Sequence, residues 1–390
     1  MRTRLIAFVM LMGVGLAVGW YVFAQVSSPS DLPNFAPGQV LTAAQLNALV
    51  ARVNALSTGF NPVPATLPVD CSAGETLADA LLQAKPGDTI RFSGTCEEMV
   101  LITIDRLTLD GQGSAILDGG GGFQPPRTLG ANEGVITIDG ARGVTIIGLT
   151  VQNGPDGIAG RGGASFTVNT VTARGNADDG IEVRQNSNAE IINCTADDNG
   201  DDGFSVTGAS NANFRGIISS TGNRNDGISI VFSSSGFFAE ATVRAHNNGQ
   251  SVTFGSDTFD GFIQGDGIRV SDSSQLSVSA NSMVEAIGNA DDGIAVARTS
   301  SFFASGVPES AHVTISAEGN GQLSGSSGDG VQVGDGSFFS VNGTQATLVV
   351  SNNSGRGLNV FGNSHISCPR ATVTKTGNAV TDAFSSGSCP

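Results

Sequence analysis

The sequence predicts an all-β solenoid: a single-stranded right-handed parallel β-helix of about 11 coils, with a short N-terminal capping helix and an N-terminal tether helix. Three observations predict this fold class. The 390 residues contain 54 glycines and only 14% charged residues, a composition that suits short strands joined by tight turns. A glycine-centred segment recurs along most of the chain. A short run of alternating apolar residues follows most recurrences, as in Ile181-Glu182-Val183.

Composition and charge exclude several classes of protein. The 35 acidic residues outnumber the 19 basic ones and the formal net charge is −16, so the chain repels phosphate and no nucleic-acid partner is expected. A content of 39% hydrophobic residues is enough for a core and excludes a disordered acidic tail.

The first 24 residues have the pattern of an export signal. Arg2 and Arg4 precede an apolar run from Leu5 to Ala24, so residues 1–24 are either a signal peptide cleaved after Ala24 or a signal anchor retained in a membrane. Both alternatives export the rest of the chain to the periplasm, the cell surface or the extracellular medium. Contact with a membrane is expected only through this segment, if it stays uncleaved.

Residues 42–57 are predicted to form a short amphipathic helix between two linkers, residues 25–41 and 58–69. Thr42 and Gln45 form a capping box. Four apolar residues then follow heptad spacing: Leu46, Leu49, Val53 and Leu56. Two interpretations stay open, a helix that packs on its own domain and a small stalk that makes the protein a homo-oligomer.

The five cysteines fit an oxidising compartment. One pair lies near the start of the predicted solenoid and one near its end, so we predict the disulfides Cys71–Cys96 and Cys368–Cys389, each stapling one end. Cys194 lies in an apolar alternating segment and is predicted to be a buried free thiol. No metal site of cysteines and histidines is predicted, because no C-x-x-C motif occurs and the three histidines are scattered.

The recurring segment defines the coils of the predicted solenoid, residues 70–390. Its glycines are Gly157, Gly180, Gly203, Gly227, Gly267, Gly293, Gly330 and Gly357, at intervals of 23, 23, 24, 40, 26, 37 and 27 residues. An asparagine column precedes six of them: Asn153, Asn176, Asn199, Asn223, Asn289 and Asn353. We interpret this column as a ladder of stacked amides that fixes one turn. Asn248 and Asn320 fill the two long intervals, which places both insertions at that same turn.

A period near 23 residues with short strands fits one coil of three strands and three turns, stacked ~4.8 Å from the next coil. Inward apolar ladders are expected at Ile181, Val183, Phe204, Val206, Ile228, Ile230, Ile294 and Val296. Strands within residues 89–151 continue this pattern toward the N-terminus. A helix from Glu75 to Lys85 is expected to plug the N-terminal end, and residues 70–88 and 368–390 are predicted as the two caps.

The Asn-x-x-Asp-Gly-Ile-x-Val coils resemble those of the right-handed β-helix, pectin-lyase-like superfamily. The resemblance implies the fold, and the superfamily includes pectate lyases, polygalacturonases, alginate epimerases and phage tailspikes. If the chain is an enzyme, the resemblance implies a polysaccharide lyase, a glycoside hydrolase or an epimerase. Whether it is an enzyme stays open, because fold does not assign function.

An aspartate column precedes the glycines, and further aspartates lie beside it. The column is Asp156, Asp179, Asp202, Asp226, Asp266, Asp292 and Asp329, and the added carboxylates are Asp178, Asp201 and Asp291. Stacked at one turn, these carboxylates would lie within ~5–7 Å of one another. Three interpretations stay open: turn capping by side chains that face water, a row that binds Ca²⁺, and an acidic patch that binds sugar or catalyses a reaction. No other cofactor is expected.

One motif supports the catalytic interpretation. Gly200-Asp201-Asp202 is similar to the second acidic motif of polygalacturonases, and Asp179 lies one coil before it. The Gly-His-Gly and Arg-Ile-Lys motifs of that family are absent, as are the Arg-x-Pro-x-x-Arg of pectate lyases and the Asp-Pro-His of alginate epimerases. The candidate catalytic residues are Asp179, Asp201, Asp202 and Asp226, and the candidate substrate-binding residues are Arg184, Arg224 and Glu182.

Three phenylalanine pairs recur after a serine-rich turn: Phe237-Phe238, Phe302-Phe303 and Phe338-Phe339. One member of each pair is expected in the core. The other is expected to pack at the turn, or to form an exposed strip for sugar rings or a partner protein.

Two functions follow from these patterns. The first is an exported β-helix protein that binds or processes polysaccharide or a cell-surface glycan on its acidic solvent face, centred on the aspartate column. The second is a non-catalytic, adhesin-like structural rod at a surface, oligomeric through residues 42–56.

Overall fold

Parallel strands stack coil upon coil in the computed structural model of this protein, which describes residues 64–121, 134–249, 265–306, 312–321, 328–384 and 387–389. Successive coils keep their register, since Ile181 pairs with Phe204 and Phe204 pairs with Ile228. The predicted fold class, a right-handed parallel β-helix, is confirmed. The predicted signal segment, the first linker and the helix over 42–57 lie outside the described residues.

Sheet one contains 11 strands, which is consistent with the predicted coil number of about 11. In chain order these strands are β4 (Val100–Ile102), β6 (Gly134–Asp139), β8 (Asp156–Arg161), β10 (Ile181–Val183), β13 (Phe204–Val206), β15 (Ile228–Ile230), β17 (Ile268–Val270), β20 (Ile294–Val296), β23 (Val331–Val333), β26 (Leu358–Val360) and β29 (Ala383–Phe384). From β10 to β26 each of these strands spans only three residues, because a polar turn lies directly on either side.

Sheet two contains 19 strands and covers the other two sides of each coil. Its strands are β1 (Thr66–Asp70), β2 (Thr89–Ser93), β3 (Thr95–Glu97), β5 (Thr108–Asp118), β7 (Arg142–Gln152), β9 (Ser165–Arg174), β11 (Asn188–Ile192), β12 (Thr195–Asp197), β14 (Asn211–Thr221), β16 (Ser235–His246), β18 (Gln275–Val278), β19 (Ser282–Ile287), β21 (Ser301–Ser305), β22 (Val313–Glu318), β24 (Phe338–Asn342), β25 (Ala346–Ser351), β27 (His365–Ser367), β28 (Thr372–Thr376) and β30 (Gly387–Ser388). The longest strands turn a corner midway at a residue with positive φ, such as Thr170 (54°), Gly216 (68°) or Glu240 (52°).

Inward side chains of both sheets form one apolar core along the solenoid. All eight predicted inward residues are fully buried: Ile181, Val183, Phe204, Val206, Ile228, Ile230, Ile294 and Val296. Phe214 bridges two coils, with ring centroids 5.8 Å from Phe204 and 5.4 Å from Phe238, both edge to face. Cys194 is a buried free thiol, as predicted, and burial raises its pKa to about 11.

The N-terminal end is closed by a short helix, α1 (Leu77–Gln83), within the predicted span of 75–85. Thr76 caps it, and the Glu98 carboxylate accepts hydrogen bonds from the N–H groups of Leu77 (2.6 Å) and Ala78 (3.0 Å). The 3₁₀ turn Cys71–Ala73 carries the predicted disulfide Cys71–Cys96. The linker boundary at residue 69 is wrong, because Thr66–Asp70 already pairs with β2.

The C-terminal segment extends the solenoid. Strands β28, β29 and β30 pair with β25, β26 and β27 respectively, so the predicted cap 368–390 is a further coil. The predicted disulfide Cys368–Cys389 staples it. Within the described ranges, no helix combines the length and apolar character required of a membrane span.

Candidate functional site

An amide ladder fixes the turn that leads into sheet one. Each Nδ2 donates to Oδ1 of the next asparagine at 2.9–3.1 Å, through Asn176, Asn199, Asn223, Asn248, Asn289, Asn320, Asn353 and Asn378. The predicted ladder is therefore confirmed, including the two members that precede the insertions. Asn153 is not part of it: its side chain is exposed and donates to Asp118 Oδ2. Asn378 was not predicted, because no Asp-Gly follows it, and its spacing of 25 residues from Asn353 was the available signal.

The aspartate column is buried, which corrects the expectation of an acidic solvent face. Asp179, Asp202 and Asp226 are exposed by 5%, 6% and 0%. In each coil the backbone N–H donates to Oδ1 of the preceding aspartate at 2.6–3.2 Å, from Asp156 through Asp329 to the N–H of Arg356. Turn capping is thus the role of this column, and its side chains do not face water.

Burial and the proximity of other carboxylates raise the pKa values of these carboxyls. Desolvation raises the pKa of Asp179 well above its ordinary value, and the neighbouring carboxylates of Asp202 and Asp201 raise it further. The pKa of Asp202 is raised for the same reasons, first burial and then Asp201. Burial raises the pKa of Asp226 to about 6, opposed by the guanidinium of Arg269.

A second ladder closes the opposite end of each strand of sheet one. The backbone N–H of each serine donates to the hydroxyl oxygen of the next serine at 3.1–3.2 Å, through Ser187, Ser210, Ser234, Ser274, Ser300, Ser337 and Ser364. The serine-rich turns were visible in the sequence, but their ladder was not predicted. Sheet one is therefore held between a serine ladder and an asparagine–aspartate turn.

One coil departs from this repeat. The outward-facing positions at the centre of the strands of sheet one pair in register as Leu101, Thr137, Ala159, Glu182, Ser205, Ser229, Arg269, Ala295, Gln332, Asn359 and Ala383. Among these positions Glu182 is the one acid and Arg269 the one base. Glu182 is 7% exposed, and its Oε2 lies 3.2 Å from Arg184 Nε.

Glu182 completes a group of carboxyls, three buried and two partly exposed, that we call the acidic cluster: Asp156, Asp178, Asp179, Glu182 and Asp201. Single carboxylate oxygens of Asp156, Asp179 and Glu182 lie within 4.8 Å of one another, and so do those of Asp178, Asp179 and Asp201. Asp178 and Asp201 are partly exposed and form the solvent border of the cluster. Asp156 belonged to the predicted column but was not a predicted site residue.

The sequence matches the family model described as right handed beta helix region over residues 128–368. The chain belongs to this right-handed beta helix family. No curated protein sequence matches the chain significantly.

Solved structures resemble this right-handed beta helix protein in outline. The A-module of the mannuronan C-5 epimerase AlgE4 from Azotobacter vinelandii has 14% identity and a TM-score of 0.49, covering 89% of this chain and 95% of that chain. Pectate lyase Pel9A has 16% identity and a TM-score of 0.47, over 84% and 81% of the two chains. An alginate lyase from Paenibacillus sp. has 15% identity and a TM-score of 0.45, over 83% and 99%. Likenesses of this level carry no argument about activity.

The other predicted site residues of this beta helix protein lie apart from the acidic cluster. Arg224 is exposed in the asparagine–aspartate turn of the coil that ends with β15, and its N–H donates to the Asn199 carbonyl. Asp226 lies one coil beyond Asp202, beside Arg269, whose pKa is raised by Asp226 and Asp266 against desolvation. Of the seven predicted residues, four thus lie together: Asp179, Glu182, Arg184 and Asp201. Asp202 follows Asp201 in the chain.

Three sets of carboxylates have the spacing of metal ligands among the described residues: the two within the acidic cluster, and Asp266 with Asp291 and Asp292. Each set brings together one oxygen from each of three carboxylates, whereas Ca²⁺ takes ~6–8 oxygen ligands. A fourth group, Cys71, Cys96 and Glu98, has its sulfurs in a disulfide. The carboxylates suit a hard cation, but each set supplies only part of its coordination shell.

The phenylalanine pairs place one member in the core and one outside. Phe238, Phe302 and Phe339 are fully buried. Phe237 is 41% exposed and Phe303 38%. The inward member is the second of the pair in β16 and β24 but the first in β21, because Phe302 pairs with Phe339 while Phe303 pairs with Ser340.

Proposed function

We propose that this right-handed beta helix protein binds and processes a polysaccharide at the acidic cluster. The observation that carries the proposal is Glu182, the one acid among the outward central positions of sheet one in the described coils, set against the buried carboxyl of Asp179. The same position is occupied by serine, alanine or an amide in most other coils. A structural ladder does not require a glutamate there.

The cluster combines two forms of carboxyl that acid–base chemistry on a glycosidic or uronic-acid unit needs. Burial raises the pKa of Asp179 and so favours its protonated form, which a general acid requires. The Glu182 carboxylate is held 3.2 Å from the Arg184 guanidinium, a pair that can meet the hydroxyls or the carboxylate of a sugar. Asp178 and Asp201, at the solvent border, are the first groups that a sugar chain would meet.

Two disulfides support export as part of the same proposal. Disulfides persist in oxidising compartments, such as the periplasm or the extracellular medium. Both bridges, Cys71–Cys96 and Cys368–Cys389, lie at ends of the solenoid where they restrain terminal coils.

The matched test compares the turnover of the variants Asp179→Asn and Asp292→Asn. Both residues cap the same turn of the repeat, and an asparagine Oδ1 can still accept the next N–H, so both variants keep the ladder. Asp179 faces Glu182 across the cluster, whereas the coil of Asp292 carries Ala295 at that position. We expect Asp179→Asn to lower turnover about 10²–10⁴-fold and Asp292→Asn to leave it unchanged.

Turnover is measured as new reducing ends and as unsaturated uronate on a panel of uronan, galactan and glucan polymers, with EDTA and with added Ca²⁺. Binding or turnover that requires Ca²⁺ would add the ion to the cluster as a ligand-bridging group. No turnover and no binding on the whole panel, or equal effects of the two variants, would refute the proposal.

The alternative is a non-catalytic surface rod, oligomeric through residues 42–56. Its specific support is the structural role of the aspartate column outside the one acidic coil. Light scattering of the mature chain with and without residues 25–63 tests the stalk, and the truncation stops there because β1 begins at Thr66. Monomers in both cases would rule out the stalk.

A further inference from the structure

Sheet two carries an open groove on its outer surface, away from the acidic cluster. Its two parts have volumes of ≈ 560 Å³ and ≈ 340 Å³ and share Asn188, Ala189 and Asn213, so they form one continuous depression across β9, β11, β14, β16 and β18. A volume of this size is typical of ligand sites. We call it the sheet-two groove.

Residue size at one inward position explains the concavity. In register, this position holds Phe166, Ala189, Ala212, Gly236 and Leu276. Three small residues in the middle coils leave little between the two sheets, and a Cβ on Gly236 would lie 2.3 Å from Ile230 Cδ1 of sheet one. The strands β11, β14 and β16 can therefore approach sheet one, while the large side chains hold β9 and β18 outward.

The lining of the groove is neutral, polar and regular. Asn211 Nδ2 donates to Asn188 Oδ1 at 3.1 Å, and the Ser235 hydroxyl donates to Asn211 Oδ1, so the amides stand in a row with one member per coil. Each amide carries two donors and one doubly accepting oxygen, so groups remain for a ligand after these lateral bonds. Gln275, in register with Ser235, continues the row.

Phe237 stands beside this row, in register with Asn213 and Ser277, with 41% of its surface exposed. Further along the same face, Phe303 and Phe338 lie 5.2 Å apart, and Phe338 stacks on His365 at 5.4 Å with an interplanar angle of 4°. Exposed rings beside amides and hydroxyls form an amphipathic surface: the rings suit the apolar face of a pyranose and the amides suit its hydroxyls.

Charge and hydrogen bonding exclude other extended ligands. The acid at the groove, Glu190, is paired with Arg215 at 3.1 Å, and the lining offers no cluster of cations for phosphate or uronate. A peptide strand cannot extend the sheet here, because every strand of the groove already pairs with the coils before and after it.

We infer that the sheet-two groove binds a neutral polysaccharide chain, lying along the solenoid axis with its rings on Phe237 and its hydroxyls on the amide row. The coil spacing of ~4.8 Å is close to the length of one hexose unit in an extended chain, so successive units meet equivalent side chains. This site is separate from the acidic cluster and stands whether or not that cluster is catalytic.

Phe237→Ala is compared with Phe232→Ala for binding of neutral hexasaccharides of glucose, galactose, mannose and xylose, by titration calorimetry on the mature protein. Phe232 belongs to the same coil and is 58% exposed, but it does not line the groove. We expect at least one neutral hexasaccharide to bind, with affinity lowered tenfold or more by Phe237→Ala and unchanged by Phe232→Ala.

Asn211→Ala provides a second variant, expected to lower the same affinity several-fold through lost hydrogen bonds. Absence of binding to all four neutral hexasaccharides, or equal affinity of the two phenylalanine variants, overturns the inference. Preference for a hexagalacturonate over every neutral ligand overturns it as well. Failure of the acidic-cluster proposal is distinct, since it shows in turnover and in the comparison of Asp179→Asn with Asp292→Asn.

Discussion

Asp179 and Asp292 occupy the same position of the repeat and make the same backbone hydrogen bond, yet their surroundings differ. Both accept the N–H of the next coil through Oδ1. Asp179 lies within 4.8 Å of Glu182, whereas the corresponding residue beside Asp292 is Ala295. A functional role for one aspartate therefore depends on a neighbour three residues along the chain, not on the aspartate column itself.

The asparagine ladder predicts a large loss of stability from a single amide. Asn223 is fully buried, and its Nδ2 faces Asn248 Oδ1, Ser220 Oγ and the Ala196 carbonyl at 2.8–3.0 Å. Asn223→Ala removes these three hydrogen bonds and the two that Asn199 donates to Asn223 Oδ1, all of them buried, so we expect the free energy of unfolding to fall by about 3 kcal/mol. Urea denaturation measures it.

Asn211→Ala is the control for that measurement. Asn211 is exposed and its bonds run only to exposed neighbours, so its loss should change the free energy of unfolding by less than about 0.5 kcal/mol. Equal losses in the two variants would contradict a ladder-specific contribution.

The pKa of Asp226 predicts that stability falls as pH rises. Its pKa is raised from 3.8 to about 6, and its Oδ2 is buried with no hydrogen-bond partner among the described residues. Because the folded pKa is raised, this group's contribution is complete below about pH 4 and is lost as pH rises through about 6, an effect on the order of 3 kcal/mol. Neighbouring charges act on the same pKa: Arg269 lowers it, and Asp201 and Asp291 raise it.

Asp226→Asn isolates this contribution, since asparagine can still accept the Asp266 N–H. The stability of the wild type relative to the variant should decrease between about pH 4.5 and 7.5. Burial lowers the pKa of His246, so its contribution to stability increases as the pH rises toward the ordinary pKa of histidine. His246 is present in both proteins. A difference that stays constant across this range would contradict the prediction.

At the scale of elements, the turn before sheet one tolerates long insertions because its two ladders resume on the far side. Asn248 and Asp266 both keep their ladder bonds although 17 residues separate them in the sequence. The same holds for Asn320 and Asp329. Both insertions thus leave and re-enter the solenoid at one turn, as predicted from the spacing.

The two disulfides lie at the ends of the solenoid, and removing each one should destabilise only the coils at that end. The bridge Cys71–Cys96 spans 25 residues, so its loss in Cys71→Ser/Cys96→Ser should destabilise the terminal coils by about 3 kcal/mol. Amide hydrogen exchange should show faster exchange in β1 and β2 and unchanged exchange in β10, β13 and β15, since each coil contacts only its neighbours.

The matched variant is Cys368→Ser/Cys389→Ser, which should accelerate exchange in β27 and β28 instead. Uniform acceleration along the whole solenoid in either variant would show that the ends do not behave as separate units.

At the scale of the whole molecule, buried aspartates reduce the real charge. The formal value of −16 counts every carboxylate as ionised. The pKa values of Asp179, Asp202, Asp266 and Asp292 are raised well above the ordinary range, first by burial and second by neighbouring aspartates. As the pH falls, these aspartates therefore take up protons before ordinary carboxylates do, and the protein becomes less negative than its composition indicates.

The stacked ladders predict that a whole coil can be removed. Deleting residues 181–203 joins Gly180 to Phe204, the residue that pairs with Ile181, and leaves Asn176 below Asn223 in the ladder. We expect a folded protein with one coil fewer, an unchanged β-type circular dichroism spectrum and no activity from the acidic cluster. Deleting residues 181–191 breaks the register and should prevent folding; a folded product would contradict the argument.

Much of the fold was predictable because the repeat is a one-dimensional signal. The glycine spacing, the asparagine column and the alternating apolar residues each specify local geometry, and stacking repeats it. The inward residues followed from the same pattern, both disulfides from the positions of the cysteines, and the buried Cys194 from its apolar alternating segment. The start of the solenoid at Thr66 was missed, because a first strand has only one neighbouring coil and its sequence, TLPVD, lacks the repeat.

The sequence by itself determined the solenoid, its turns, its insertions and its covalent staples, because these depend on residues close together in one coil or at fixed spacing in the next. Only the tertiary structure decided that the aspartate column is buried, that Glu182 joins Asp156 and Asp179, and that three small residues hollow a groove in sheet two. Each of these depends on how closely neighbouring coils and the two sheets pack, and side-chain burial at that level is not encoded in the period of the repeat.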